Sequence, residues 1–266
     1  MQQKNTIDYI LHLADSTLIL TQRNGSWCGH GPILEQDIAI TNITLDLIGQ
    51  ARNFYQYVAN LINETSANNS VNNNLKTGDI VSEDSLAYMR TEREFKNLLL
   101  VEQENGDWAQ TILRQFFFSV YQYLLFAKLQ NSKDEQLAAI AAKSLKEVTY
   151  HVKWSGEWVI RLGDGTAESN ERIQKAIVAL WPYTGEMFVP SDYEKLLAEE
   201  NIIPDVSSLK NAWMEKVNSV FEEATLSIPE NVFMQSGGKK GVHTEKLGYI
   251  LSEMQYLQRV YPGAEW

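Results

Sequence analysis

"ILEQDIAITNITLDLIGQARNFYQYVANL", residues 33–61, decides the fold. Its apolar residues fall nearly all the way round a 3.6-residue period, which predicts a long helix buried among other helices. Within it Ala39, Asn42, Asp46, Gly49, Gln50 and Asn53 form a small and polar stripe. A hydrogen-bonded seam that keeps neighbouring helices in register is the commoner outcome of such a stripe, and a metal-ligand role for Asp46 the rarer one.

The neighbouring segments follow the same period. Upstream, Ile10, Leu13, Ala14, Thr17, Leu18 and Thr21 repeat at i, i+3, i+4 and i+7. Downstream, "NETSANNSVNNNLKTGD" has little to bury and reads as a surface loop at about 63–80. Helical patterns resume from Glu83 to Glu104, break at "ENGD", and continue from Asp107 to Gln130. Ser132-x-x-Glu135 has the form of a capping box opening the next helix, which ends at "RLGDG". Shorter helices are predicted at about 167–181, 191–200 (opened by Ser191-x-x-Glu194), 208–226 and 243–260. Four long helices with one long crossover define an all-α, ferritin-like four-helix bundle. Additional C-terminal helices at about 167–260 are expected to wrap it, with residues 1–266 expected to form a single domain.

Composition narrows the function classes. The 266 residues are 44% hydrophobic and 21% charged, an ordinary globular balance, with a net charge of -11. That balance speaks against nucleic-acid binding, which needs a cationic footprint. Cys28 is the only cysteine, which rules out an intrachain disulfide and Cys-rich metal sites. The N-terminus lacks an apolar signal core and no run approaches a membrane span, so the expected location is the cytoplasm, with no membrane partner.

Helical spacing offers a few sites. In "KEVTYH" (146–151), Glu147 and His151 stand four apart on one face, a reach at which a helix can offer oxygen and nitrogen to a transition metal. A two-iron centre in such a bundle needs two lone carboxylates and two Glu-x-x-His pairs. Residues three before His12, His30, His151 and His243 are Tyr9, Trp27, Val148 and Lys240, so no Glu-x-x-His exists. Four before them, only Asp8 and Glu147 are acidic. Asp8–His12 is expected as a surface pair. Asp46, Glu147 and His151 are expected to be a vestigial metal site, too few for a standard centre, and no catalytic residue or bound metal is assigned to the chain.

Two cationic stretches invite a partner or an anion. Arg90, Arg93 and Lys96 recur in "RTEREFKN" beside Phe95 and Asn97, although Glu92 and Glu94 also suit a solvated, salt-bridged face. Lys239 and Lys240 lie in "SGGKKGVHTE", which lacks P-loop spacing and reads either as an anion cradle or as a plain flexible loop.

Long stretches resemble a known family: "LTQRNGSWCGHGPILEQDIAITNITLDLIGQARNF", "EREFKNLLLVEQENGDWAQTILRQFF", "AAIAAKSLKEVTYHVKWSGEWVIRLGDGTAES" and "GGKKGVHTEKLGYILSEMQYLQRVYPGAEW". They are similar to the C-type subunits of the bacterial phenylacetyl-CoA 1,2-epoxidase. The resemblance departs at Lys246, where a histidine is expected, and in the longer Asn-rich loop. It implies a structural, non-catalytic subunit in an NADPH- and O2-dependent monooxygenase complex, bracing a homologous catalytic A subunit that carries the di-iron centre. A reductase and other subunits would complete the complex. Arg93, Phe95, Lys96, Asn97, Lys239 and Lys240 are the candidates for contact with that partner or with a CoA thioester at the interface. The alternatives are a free-standing metal-dependent oxygenase with a reduced ligand set, and a scaffold that touches no ligand.

Overall fold

The computed structural model describes residues 2–68 and 80–264. Asp107 opens one of the long helices by accepting from the Gln110 amide at 3.0 Å, and Asp134 opens the next by accepting from Leu137 at 2.9 Å. Each satisfies an amide that the first turn leaves without a helical partner. The helices are α1 (Gln2–Gly25), α2 (Leu34–Asn68), α3 (Glu83–Tyr88), α4 (Trp108–Leu129) and α5 (Glu135–Gly163). They are followed by α6 (Ala167–Leu180), α7 (Asp192–Glu199), α8 (Lys210–Glu223), α9 (Glu245–Met254) and α10 (Tyr256–Val260). Among the described residues there is no strand, and no helix is long and apolar enough to cross a membrane.

Two helical hairpins, α1–α2 and α4–α5, pack on each other with a long crossover between them, which is the ferritin-like bundle. Ile10, Leu47, Phe54, Phe116 and Val148 are fully buried, each contributing about 1.5–3 kcal/mol by its removal from water. The "FFF" of 116–118 explains how the C-terminal helices attach. The Phe117 ring lies 5.5 Å from Trp213, 5.8 Å from Trp181 and 6.1 Å from Phe221, centroid to centroid. Trp213 Nε1 donates to the Phe117 carbonyl at 3.0 Å, tying α8 to the backbone of α4.

Several sequence expectations are corrected. Residues 83–104 are not one helix. α3 ends at Tyr88, a 3-10 turn follows at Glu92–Glu94, and the chain then threads the interior with Phe95, Leu98, Leu100 and Val101 buried. Buried side chains take over the helical hydrogen bonds there. Asp15 accepts from the Lys96 amide at 2.8 Å, Ser16 from Leu98 at 3.1 Å and Glu186 from Leu99 at 2.9 Å. A chain buried on all sides reads as apolar at any period.

Ser132 does not cap α5. It donates to the Ile202 carbonyl at 2.6 Å while Asp134 takes the capping position. The Ser191–Glu194 box does form at the start of α7. The last predicted helix is two, divided at Gln255, whose side chain donates to the Ala87 and Arg90 carbonyls. α2 carries the start of the Asn-rich stretch to Asn68, and residues 69–79 of that predicted loop lie outside the described residues.

α2 is also not buried all round. Leu34 (71%), Ile38 (51%), Leu45 (61%) and Ile48 (38%) are exposed. Their spacing of i, i+4, i+11 and i+14 makes one apolar stripe on the outside of the bundle.

Candidate functional site

The bundle centre is built from one polar side chain of each long helix. On α5, Glu147 Oε2 accepts from Gln50 Nε2 of α2 at 2.8 Å. Gln50 Oε1 in turn faces Gln122 Nε2 of α4 at 3.5 Å, and that amide also lies 3.5 Å from Thr17 Oγ1 of α1. Thr17 donates to the Leu13 carbonyl at 2.8 Å. Beside this string His151 Nε2 donates to Asp46 Oδ2 at 3.0 Å, with the imidazole fully buried and the Asp46 side chain 37% exposed. The His151 Nδ1 atom is buried without a protein partner.

The structure sets Asp46, Glu147 and His151, expected from the sequence as a vestigial metal site, on one seam between α2 and α5, but the three do not converge. Asp46 meets the imidazole, and Glu147 meets an amide instead. Toward Asp46 the seam opens outward: Asn42 is exposed, and a Cβ added at Gly49 would meet nothing within 4 Å.

These residues do not fit a two-iron centre. α4 turns Gln115, Ser119 and Gln122 into the bundle, and α1 turns Thr17. Amides and hydroxyls supply no negative charge to offset two dications, and an amide NH2 cannot act as a ligand. The buried Asp15 of α1 is committed elsewhere. It accepts from Tyr55 at 2.5 Å, from the Lys96 amide, and from Arg90 in a close ion pair. Among the described residues no group of three or more His, Cys, Asp or Glu is placed to share a metal ion.

The pairing of Arg90, read from the sequence only as part of a cationic stretch, with Asp15 and Tyr55 had no local signal, because the three come from separate segments. Burial pushes the Tyr55 hydroxyl well above its ordinary pKa, with Asp15 adding to the effect. Burial also works against the Arg90 charge, but Asp15 and its neighbours more than offset that and hold the guanidinium ionised.

The cationic candidates separate sharply. Arg93 and Lys240 are exposed. Lys96 is half-buried, 3.6 Å from Asp8 and stacked over the Tyr193 ring. Phe95 and Asn97 are fully buried, so their side chains are corrected from contact candidates to core. Lys239 is corrected likewise. Its ammonium lies 3.0 Å from both Glu194 oxygens and 3.1 Å from the Val189 carbonyl, deep in the fold.

The glycines around it serve close packing. A Cβ at Gly238 would stand 2.1 Å from the Asn97 carbonyl oxygen, and Gly241, at φ 75°, would place one 2.3 Å from that of Arg93. This strap crosses the 93–99 backbone too closely for any side chain. It also carries His243, which donates from Nε2 to the Phe95 carbonyl at 2.9 Å and pairs with buried Glu102 at 3.3 Å. The two residues come from segments far apart in the chain, so nothing local in the sequence marks the pair. Asp8 and His12 are not a surface pair either. His12 is fully buried, bonded to the Lys96 carbonyl at 2.7 Å, and Asp8 bonds Lys4.

An all-helical, ferritin-like bundle whose centre joins amides and a hydroxyl to one carboxylate defines the class. The chain belongs to the phenylacetic acid catabolic protein family, whose pattern it matches over residues 1–266. It is 49% identical over 258 residues, covering 97% of this chain and 98% of the relative, to the C-type subunit of the 1,2-phenylacetyl-CoA epoxidase of Escherichia coli (strain K12).

Proposed function

We propose that this chain is the structural, non-catalytic C-type subunit of a cytoplasmic phenylacetyl-CoA epoxidase complex in phenylacetate catabolism. It works by holding a homologous catalytic subunit, which carries the di-iron centre and is served by a separate reductase. The observation that carries this reading is the string Glu147–Gln50–Gln122–Thr17, which fills the bundle centre with hydrogen bonds where a catalytic bundle needs carboxylates.

The exposed stripe Leu34–Ile38–Leu45–Ile48 supports assembly through α2. A row of large apolar side chains on a long helix suits packing against a similar helix of the partner. Arg93 and Lys240 are the accessible cations for a CoA thioester at the interface, and Gly241 brings their backbones together.

The test is reconstitution. The purified chain is expected to hold no stoichiometric iron and to turn over nothing alone, while activity appears with the catalytic subunit and reductase. Two irons per chain with O2-dependent turnover by this chain alone would overturn the proposal in favour of a free-standing oxygenase. Charge reversal at Arg93 and Lys240 that leaves CoA-ester binding unchanged would remove the thioester contact and leave assembly as the whole role.

A further inference from the structure

His12 sits in the core of α1 with an unused nitrogen. Nδ1 lies 2.7 Å from the Lys96 carbonyl, so it carries the proton and donates, which leaves Nε2 as an acceptor. Burial, reinforced by the Lys239 ammonium, lowers the pKa of the ring to about 4 and keeps it neutral. Nε2 has no partner in the protein. Neither have two polar atoms of α4, the Tyr121 hydroxyl and Gln122 Oε1, although all three residues are buried. Three such atoms left dry together would be costly, so they call for a ligand.

The same three residues line a small enclosed cavity between α1 and α4, closed by Ser16, Thr17 and Leu98 and by apolar side chains. About 10 Å³ of it is open to a water-sized sphere, close to the roughly 10–15 Å³ that one water needs. Thr17 does not compete for what enters, while Ser16 keeps a hydroxyl proton that can meet the second lone pair of a water. Ser16 accepts from the Leu98 amide at 3.1 Å, and Thr17 donates to the Leu13 carbonyl.

We infer that this cavity binds one ordered water, which donates to His12 Nε2 and Gln122 Oε1 and accepts from the Tyr121 hydroxyl. The stoichiometry of donors fits: two acceptors meet the two hydrogens of water, and one hydroxyl meets a lone pair. A cation does not fit. Burial keeps the Tyr121 phenol protonated, the amide and imidazole are neutral, and the Lys239 charge acts on His12. The water extends the string Glu147–Gln50–Gln122 to His12 and, through Lys96, to the crossover segment. The centre of the bundle is thereby cross-linked from α5 to the crossover by a solvent molecule.

A crystal structure of the assembled complex, at a resolution that reveals ordered solvent, tests this. The expected result is a density peak at hydrogen-bond distance from His12 Nε2 and Gln122 Oε1, lost in the cavity-filling variant His12→Phe. A dry cavity in the native protein, or a Tyr121 hydroxyl bonded directly to His12, overturns the proposal. So does a peak with an anomalous signal and metal-like ligand distances. If His12→Phe does not fold, the native map alone decides.

Discussion

Gln50 donates its side-chain amide to Glu147 at 2.8 Å across the seam between α2 and α5, so the carboxylate one turn from His151 is held by a neutral group. Gln50→Leu removes the donor and is expected to lower stability by about 1–3 kcal/mol, the usual effect of leaving a half-buried acceptor unpaired. Gln50→Glu goes further, since it sets two carboxylates against each other. Its destabilisation should be larger at neutral pH and relax as acid protonates one of the pair. Denaturant midpoints of both variants at mildly acidic and neutral pH check this, and a Gln50→Glu variant equally stable at both would contradict it.

The Lys239–Glu194 pair is a second buried commitment. Burial works against the Glu194 charge, but Lys239 and the hydrogen bonds from Ser191 outweigh it and hold the carboxyl below its ordinary range. Lys239→Met strands that charge and is expected to cost about 3–5 kcal/mol. Adding Glu194→Gln should recover much of the loss, because the stranded charge is then gone. Unfolding curves for the single and double variants measure the difference.

Two histidines give the stability profile opposite slopes. His12 titrates near 4 when folded against 6.5 when unfolded, so its contribution is complete above pH 6.5 and is lost as pH falls toward 4. His243 behaves in reverse. Burial opposes its protonation, but Glu102 and the Phe95 carbonyl outweigh that and raise its pKa above 6.5. Its contribution is therefore complete below 6.5 and is lost as pH rises through the folded value. NMR titration should show His12 still neutral at about pH 6 and His243 still charged above the ordinary histidine value of 6.5. His243→Gln should flatten only the alkaline side of the profile.

Glycine substitutions separate close packing from open space. Gly238→Ala drives a Cβ to 2.1 Å from the Asn97 carbonyl, a backbone atom that cannot step aside, and should be severely destabilising. Gly49→Ala, on α2 with no atom within 4 Å, should stabilise the isolated chain by about 0.5–1 kcal/mol through helix propensity. Thermal melts of the two variants should shift in opposite directions, and a Gly238→Ala melt unchanged from the native one would contradict the close crossing of the strap over residues 93–99.

The sequence carried the bundle because helical periodicity is local: α4 and α5 lie within a residue or two of their predicted bounds. The absence of a Glu-x-x-His is likewise a matter of counting and needs no coordinates. What the sequence could not carry was long-range pairing. Asp15 with Arg90 and Glu102 with His243 are set by the crossing of distant segments, and those crossings turned Phe95, Asn97 and Lys239 from surface candidates into core. The exposed stripe of α2 was hidden for the opposite reason. An apolar residue facing solvent and one facing the core read alike, and the difference lies in which faces the other helices of the same chain cover.

That stripe yields the test of assembly. Leu45 and Ile38 are more than half exposed, so Leu45→Asp and Ile38→Asp touch little of this chain's own core and should change its stability by about 0.5 kcal/mol or less. At the centre of a docked interface the same change buries an unpaired carboxylate. The cost there should be about 2 kcal/mol or more, which weakens association roughly thirtyfold. Copurification with the proposed catalytic partner and a binding titration read this directly. Loss of association with an unchanged melting curve places the partner on α2. Full association by both variants moves the docking surface elsewhere, while the amides at the bundle centre would still argue that this chain works through a partner.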